Sequence, residues 1–168
     1  RLSYPLEIKG QILETGVQGF SGKYIVESRS TGVKGPNKDF SFADERIAAS
    51  FVLFPKPFGI QAEYTIGRGP EFNTVTDSIE TRNLKGGYIT VSCLLKLKKQ
   101  IIIPFARTQF YEGGKKHETD ARSYTVKEHE FGVEWQPIKN FEFVAMYTVS
   151  QRRFEDFKLQ NNKQEGNL

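Results

Sequence analysis

The sequence predicts an all-β chain: an antiparallel up-and-down transmembrane β-barrel, present as a partial barrel or open sheet of about seven to nine strands. Three observations predict it. Apolar and polar residues alternate with a period of two along most of the chain. Short and long connections alternate between the segments so defined. Aromatic residues make up 13% of a chain whose hydrophobic fraction is only 38%. A low apolar total makes a poor soluble core, yet so many Phe and Tyr side chains need apolar surroundings. A barrel with an apolar outer band, a polar interior and aromatic rims satisfies both conditions.

The alternation is clearest in residues 58–67, where Phe58, Ile60, Ala62, Tyr64 and Ile66 share one face and Gly59, Gln61, Glu63, Thr65 and Gly67 the other. In residues 46–54 the apolar set is Ile47, Ala49, Phe51 and Leu53. In 86–96 it is Ile89, Val91, Cys93 and Leu95, opposed by Tyr88, Thr90 and Ser92. In 124–136, Phe131, Val133 and Trp135 oppose Glu128, Glu130, Gly132 and Glu134. In 140–152, Phe141, Phe143, Ala145, Tyr147 and Val149 oppose Glu142, Thr148, Ser150 and Arg152, with Val144 and Met146 breaking the pattern. Residues 100–112 are less regular because Ile101, Ile102 and Ile103 are consecutive, so the face of Arg107 stays open at this point. At the amino end, 2–5 reads as the end of an incoming strand, 6–10 as a turn and 11–27 as the returning strand.

Short connections fall at Pro55-Lys56-Pro57, Leu97-Lys98-Lys99 and Pro137-Ile138-Lys139, and long polar ones at 28–41, 70–82, 113–123 and 155–165. A membrane barrel places short turns on one side and long loops on the other. The count is about seven full strands with a partial strand at each end. Each full strand exceeds the roughly 9–11 residues needed to cross hydrocarbon at a tilt. Bacterial single-chain barrels close with even strand numbers, so the expectation is a single domain over residues 1–168 that forms part of a larger barrel. Tyr4, Phe54, Phe58, Trp135 and Phe141 stand where strands meet the short turns and form a candidate aromatic belt.

Composition narrows the function. The net charge is +4, from 24 basic and 20 acidic residues. The basic residues are scattered, without the dense stripe of a nucleic-acid binder. The single cysteine, Cys93, excludes an internal disulfide. No apolar run is long enough for a membrane helix. Enzyme chemistry is not supported: the two histidines, His117 and His129, accompany no Gly-x-Ser-x-Gly nucleophile motif, and Gly67-Arg68-Gly69 is too short for a phosphate loop. His117, Glu118 and Asp120 match no established metal spacing. No catalytic residue, cofactor or metal is expected. His129 reads as a residue of the apolar face near the outer rim.

The polar face carries the functional expectation, because a charged lumen selects solutes electrostatically at close range. The candidate lining residues are Arg46, Arg107 and Arg152, Glu63, Glu130 and Glu134, and the neutral Gln61 and Gln109. Arg107 is the leading choice, since a guanidinium within an apolar strand must meet water or a carboxylate. Lys115, Lys116 and Arg122 lie in a loop that could draw anions toward the mouth.

Four stretches resemble the carboxy-terminal region of the phosphate-selective porin O and P family: Gly16-Val17-Gln18-Gly19-Phe20-Ser21-Gly22-Lys23-Tyr24; Ile103-Pro104-Phe105-Ala106-Arg107-Thr108-Gln109-Phe110-Tyr111-Glu112-Gly113-Gly114-Lys115-Lys116; Gly132-Val133-Glu134-Trp135-Gln136-Pro137; and Glu165-Gly166-Asn167-Leu168. The resemblance implies a large antiparallel barrel in the bacterial outer membrane, often a homotrimer when full-length, that passes small polar or anionic solutes such as phosphate. It also implies that the amino-terminal half, with its constricting loop and most of the phosphate-selecting basic residues, and the final strand lie outside this chain. The alternative is a soluble or secreted β-barrel that binds one ligand, in the manner of a lipocalin. The two differ in which face is covered: a soluble barrel packs its apolar side chains inside, whereas a pore turns them outward.

Overall fold

The structure, a computed structural model, describes residues 1–25, 41–73, 75–76, 78–114, 121–155 and 163–167. Ten strands form one antiparallel sheet: β1 (Leu2–Ile8), β2 (Gln11–Ile25), β3 (Ser41–Leu53), β4 (Phe58–Asn73), β5 (Ser78–Cys93), β6 (Leu95–Leu97), β7 (Gln100–Gly114), β8 (Ser123–Ile138), β9 (Phe141–Glu155) and β10 (Lys163–Asn167). The order is β1-β2-β3-β4-β5-β7-β8-β9-β10, with the short β6 paired to β7 alone. Apart from β6, each strand therefore pairs with the next along the chain, the up-and-down arrangement that the alternation of connections anticipated. Seven strands are 13 to 16 residues long, and β1 and β10 are shorter. The fold is thus the expected partial barrel, an open sheet.

Several boundaries differ from the sequence reading: Leu97 belongs to β6, Gly113 and Gly114 to β7, and 163–165 to β10. The first strand continues through Ile8, and the turn is the two-residue Lys9-Gly10, both with positive φ (51° and 74°), the backbone twist a tight hairpin needs. Leu2, Tyr4 and Leu6 keep the period of two across Pro5. The strand β8 runs through Ile138, so the turn is Lys139-Asn140, with Asn140 at φ 73°. The largest difference lies in 70–82, read as a loop. Here β4 runs on to Asn73 and β5 begins at Ser78.

That extension has a tertiary cause. β5 pairs with β7 only from Lys85 to Ser92, whereas its pairing with β4 continues to Asn73↔Ser78. The tip of the β4–β5 hairpin thus leaves its β7 neighbour and docks against the end of the β7–β8 connection. Phe72 (2% exposed) and Ala121 are buried there, and the Phe72 amide donates to the Ala121 carbonyl at 2.8 Å. The Ser123 hydroxyl donates to Glu71 at 2.8 Å. Two glycines permit this closeness. Gly113 has φ 149°, and a Cβ on Gly114 would lie 1.9 Å from the Pro70 carbonyl oxygen. Polar composition makes 70–82 look like a loop; a packed phenylalanine and cross-strand bonds from Asn73 and Thr76 to Glu80 make it a hairpin.

Burial divides the two faces of the sheet. Phe51, Tyr64, Ile89, Val91, Phe131, Phe143, Tyr147 and Val149 are exposed, Phe131 to 57% and Tyr147 to 69%. No layer covers them among the described residues. Ala48, Leu84 and Val126, by contrast, are buried, and register places them among the polar set. Asp44, Glu128 and Ser150 are buried on that same side. Side chains crowd on the concave side of a curved sheet and splay on the convex side, so this distribution marks the polar face as concave.

Candidate pore-lining face

Register assembles the polar face into rows. One row runs Gln61, Thr90, Arg107, Glu130, Thr148 across β4, β5, β7, β8 and β9. A second runs Ser50, Glu63, Tyr88, Gln109, Glu128, Ser150. A third brings Tyr111, Val126 and Arg152 together. Arg107, whose face the sequence left open, stands on the polar side between Thr90 and Glu130. The isoleucine run resolves the same way: Ile102 shares its row with Trp135 on the apolar side, while Ile101 and Ile103 fall on the other.

The strongest constellation centres on Glu128. Its carboxylate accepts from the Ser150 hydroxyl at 2.8 Å, from the Arg152 Nη2 at 2.9 Å, and from the Gln109 amide. The Arg152 Nε also donates to the Ser150 oxygen at 3.1 Å. A carboxylate held by an amide, a hydroxyl and a guanidinium, with charge assistance, is rigid and electrically neutralised. Arg107 is arranged otherwise. Its Nη1 lies 3.8 Å from Glu130, beyond hydrogen-bond distance, and its guanidinium carbon sits 4.6 Å from the centre of the Tyr88 ring. Its Nε has no hydrogen-bond partner among the described residues. The guanidinium is therefore positioned by an aromatic face and a distant charge; its Nε is buried, so the donors left for a solute are those of its Nη atoms.

The remaining candidates disperse along the face. Arg46 is bound to the buried Asp44 at 3.0 Å, toward the loop end. Glu63 accepts from Gln18 at 3.3 Å. Gln61 lies two strands from Arg107, with Thr90 between them. Glu134 accepts from Gln136, nearer the short turn. Arg122 is half-buried beside Ala121, at the base of the docked hairpin, and Lys115 and Lys116 lie outside the described residues, as do His117, Glu118 and Asp120. The belt residues Tyr4, Phe54, Phe58, Trp135 and Phe141 are all exposed at the short-turn end, and the Trp135 indole donates to Gln100 at 3.0 Å.

Alternation singles out the polar set but does not say who meets whom. Glu128 and Ser150 belong to that set, yet their convergence with Gln109 and Arg152 depends on the register of three strands. Tyr88 under Arg107 and Asp44 beside Arg46 are invisible for the same reason; an aromatic on a polar face was the one available hint.

A model of the family described as "Phosphate-selective porin O and P" matches residues 24–165. Neither the curated proteins nor the solved structures hold a match to the chain. The family match spans all strands from β3 to β9, and the single-layer, up-and-down sheet with one apolar and one polar face is the architecture such a match requires. The chain belongs to the phosphate-selective porin O and P family, a family of outer-membrane porins.

Proposed function

We propose that the chain forms part of the wall of an outer-membrane channel for passive diffusion of small polar or anionic solutes, with the polar face toward the lumen and the apolar face toward lipid. The observation that carries this reading is the inverted burial. Large apolar side chains stand exposed on one face, while acids, hydroxyls and the apolar Ala48, Leu84 and Val126 are buried on the other, where the exposed Val144 and Met146 are exceptions. A ligand-binding soluble barrel would reverse this. The bacterial outer membrane is the expected location, and a homotrimer of the full-length protein is the expected assembly.

Within the lumen, Arg107 is the proposed anion contact. Arg152 is neutralised by Glu128 and Arg46 by Asp44, whereas Arg107 keeps its Nη donors beside a carboxylate 3.8 Å away. Phosphate is the family-level candidate among the anions. The lumen-facing acids Glu63, Glu128, Glu130 and Glu134 oppose a uniformly anion-attracting wall, so selectivity would rest on local sites rather than on net charge. Planar-bilayer conductance of the full-length protein in salts of differing ions tests the reading. The expected result is a channel permeable to small anions whose anion preference falls in Arg107→Ala. Equal permeability of phosphate and potassium, unchanged by that substitution, would remove the anion assignment and leave a general pore.

A further inference from the structure

Toward the long connections, the apolar face changes character within two rows. One row runs Ala49, Tyr64, Gly87, Phe110 and is apolar. The next runs Ile47, Ile66, Lys85, Glu112, Thr125. Beyond it stand Glu45, Arg68 and Asn83.

Two hollows adjoin on these rows. The lower is a trough of about 400 Å³ over the small residues Ala49, Ala62 and Gly87. Tyr64 and Phe110 flank it, their ring centres 6.3 Å apart with Gly87 between them in the row. No side chain at Gly87 could fill the gap, because its Cβ would lie 2.6 Å from the Glu63 carbonyl oxygen. The upper hollow is a cleft of about 990 Å³. Ile47 and Ile66 line the part next to the trough, and Glu45, Arg68, Lys85 and Glu112 carry charge around it, with Glu71 and Arg82. Arg68 pairs with Glu45 at 2.5 Å and Lys85 with Glu112 at 2.7 Å, and both cations are more than half exposed.

Depth places the two hollows. A strand tilted as in membrane barrels climbs about 2.5 Å per residue along the membrane normal. Counted along β4 from the belt residue Phe58, Ala62 stands about 10 Å and Tyr64 about 15 Å into an apolar band about 25 Å tall. Ile66 reaches about 20 Å and Arg68 about 25 Å, the level of the headgroups on the long-loop side. The Lys85 ammonium, on a flexible stem level with Ile66, extends to the same boundary.

We infer that trough and cleft together hold one phosphorylated glycolipid of the outer leaflet. An acyl chain lies in the trough, a phosphate meets Arg68 and Lys85, and headgroup hydroxyls donate to Glu45 and Glu112. Exposed ion pairs contribute little, so the two cations exchange carboxylate for phosphate at small cost. Cations at a lipid boundary attract anionic headgroups. Free inorganic phosphate suits the cleft poorly, because Glu45, Glu71 and Glu112 repel it and the trough below stays empty. A headgroup that carries both phosphate and hydroxyls matches the cations and the carboxylates at once, and only a lipid continues from that depth into an apolar trough. The inference rests on the apolar face being outward and the long connections lying on the outer side.

The test uses the full-length protein in detergent with added lipid A, a phosphorylated and acylated disaccharide, read by native mass spectrometry. The folded protein is expected to retain a lipid A molecule after the detergent is stripped. Arg68→Gln combined with Lys85→Gln is expected to weaken binding roughly tenfold. Ala62→Phe, which fills the trough without changing charge, is expected to weaken it as well. Lys99→Gln, at the short-turn end, is expected to leave it unchanged. Heat-modifiable migration selects folded variants, and the charge and trough variants stand in for each other should one fail that check. Equal retention by the parent and either folded variant would overturn the site, as would equal loss in Lys99→Gln or displacement by excess inorganic phosphate. Planar-bilayer conductance of the same preparations reports the channel separately. A conducting protein without lipid retention overturns the lipid site alone, and a protein that stays monodisperse without detergent overturns the outward assignment itself.

Discussion

The sheet contains two kinds of wall. From β3 to β5 the apolar face runs unbroken through Ile47, Ala49, Phe51, Ile60, Tyr64, Ile89 and Val91, and the polar face opposite it carries Gln61, Thr65, Thr90 and Ser92 around Glu63, with the Arg46–Asp44 pair toward the loop end. From β7 to β9 both faces are busier. The polar side holds Arg107 with Glu130 and the Glu128–Arg152–Ser150–Gln109 cluster, while the other side is interrupted by His129 and Lys127. Backbone pairing is the same throughout. The difference teaches that pairing and alternation build the wall, and that departures from simple alternation are what make one stretch of wall chemically unlike another.

The largest test of this contrast lies on the apolar face. Ala62→Arg in the full-length protein is expected to cost about 2–4 kcal/mol of folding stability, the cost of a cation facing mid-bilayer lipid, because Ala62 stands four residues beyond the belt residue Phe58 and near the middle of the apolar band. His129→Arg should cost far less, because that position already carries a polar, ionisable side chain. Denaturant titration of the two variants in lipid vesicles measures the pair, and equal losses would break the distinction between the two walls.

Next is the Glu128 cluster. Glu128→Ala leaves Arg152 and Ser150 without their acceptor and is expected to cost about 1–3 kcal/mol, whereas Glu63→Ala removes a single long contact from Gln18 and should stay within about 0.5 kcal/mol. The same titration reads both, and an indifferent Glu128 would show the cluster to be solvated side chains without mutual support. A smaller effect is expected for Arg107→Ala. A half-exposed cation interacts by about 0.2–1 kcal/mol, so anion-over-cation permeability should fall by no more than about fivefold. Reversal potentials in salt gradients measure it. Arg152→Ala should change selectivity less than Arg107→Ala, because Glu128 already neutralises that charge; the opposite order would transfer the solute contact to Arg152.

The smallest effect concerns the tip of the β4–β5 hairpin, past the membrane-spanning part. The Thr76 hydroxyl and the Asn73 amide hold the Glu80 carboxyl below its ordinary value, with Arg82 and Ser78 adding to the same direction. A depressed carboxylate contributes order above its unfolded pKa and loses it as pH falls through the depressed value. Proteolysis between β4 and β5 should therefore be unchanged from neutral pH down to the ordinary carboxylate range and rise only below it. Proteolysis that stays unchanged through and below that range would assign the hairpin's order to Phe72 and Ala121 alone.

Much of the fold is legible in the residues. Phe58, Ile60, Ala62, Tyr64 and Ile66 can share a face only in an extended chain, and the three short connections force antiparallel neighbours. The candidate site is legible only in part. Arg107 follows Ile101, Ile102 and Ile103, a run compatible with either face, and pairing with Thr90 and Glu130 decides it. The 70–82 segment misleads because its polarity suits a loop, while Phe72 is buried by Ala121, about fifty positions along the chain.

By itself the sequence determined the strand period, the two faces and the up-and-down order, because each depends on residues within about a dozen positions of one another, and the family, because its stretches recur in order along the chain. Tertiary structure alone decided which polar groups converge on Glu128, how Arg107 is left with open donors, and where the β4–β5 hairpin docks. Those outcomes depend on inter-strand register and on sheet curvature. A shift of one residue in either partner would exchange every contact while leaving the alternation of each strand intact.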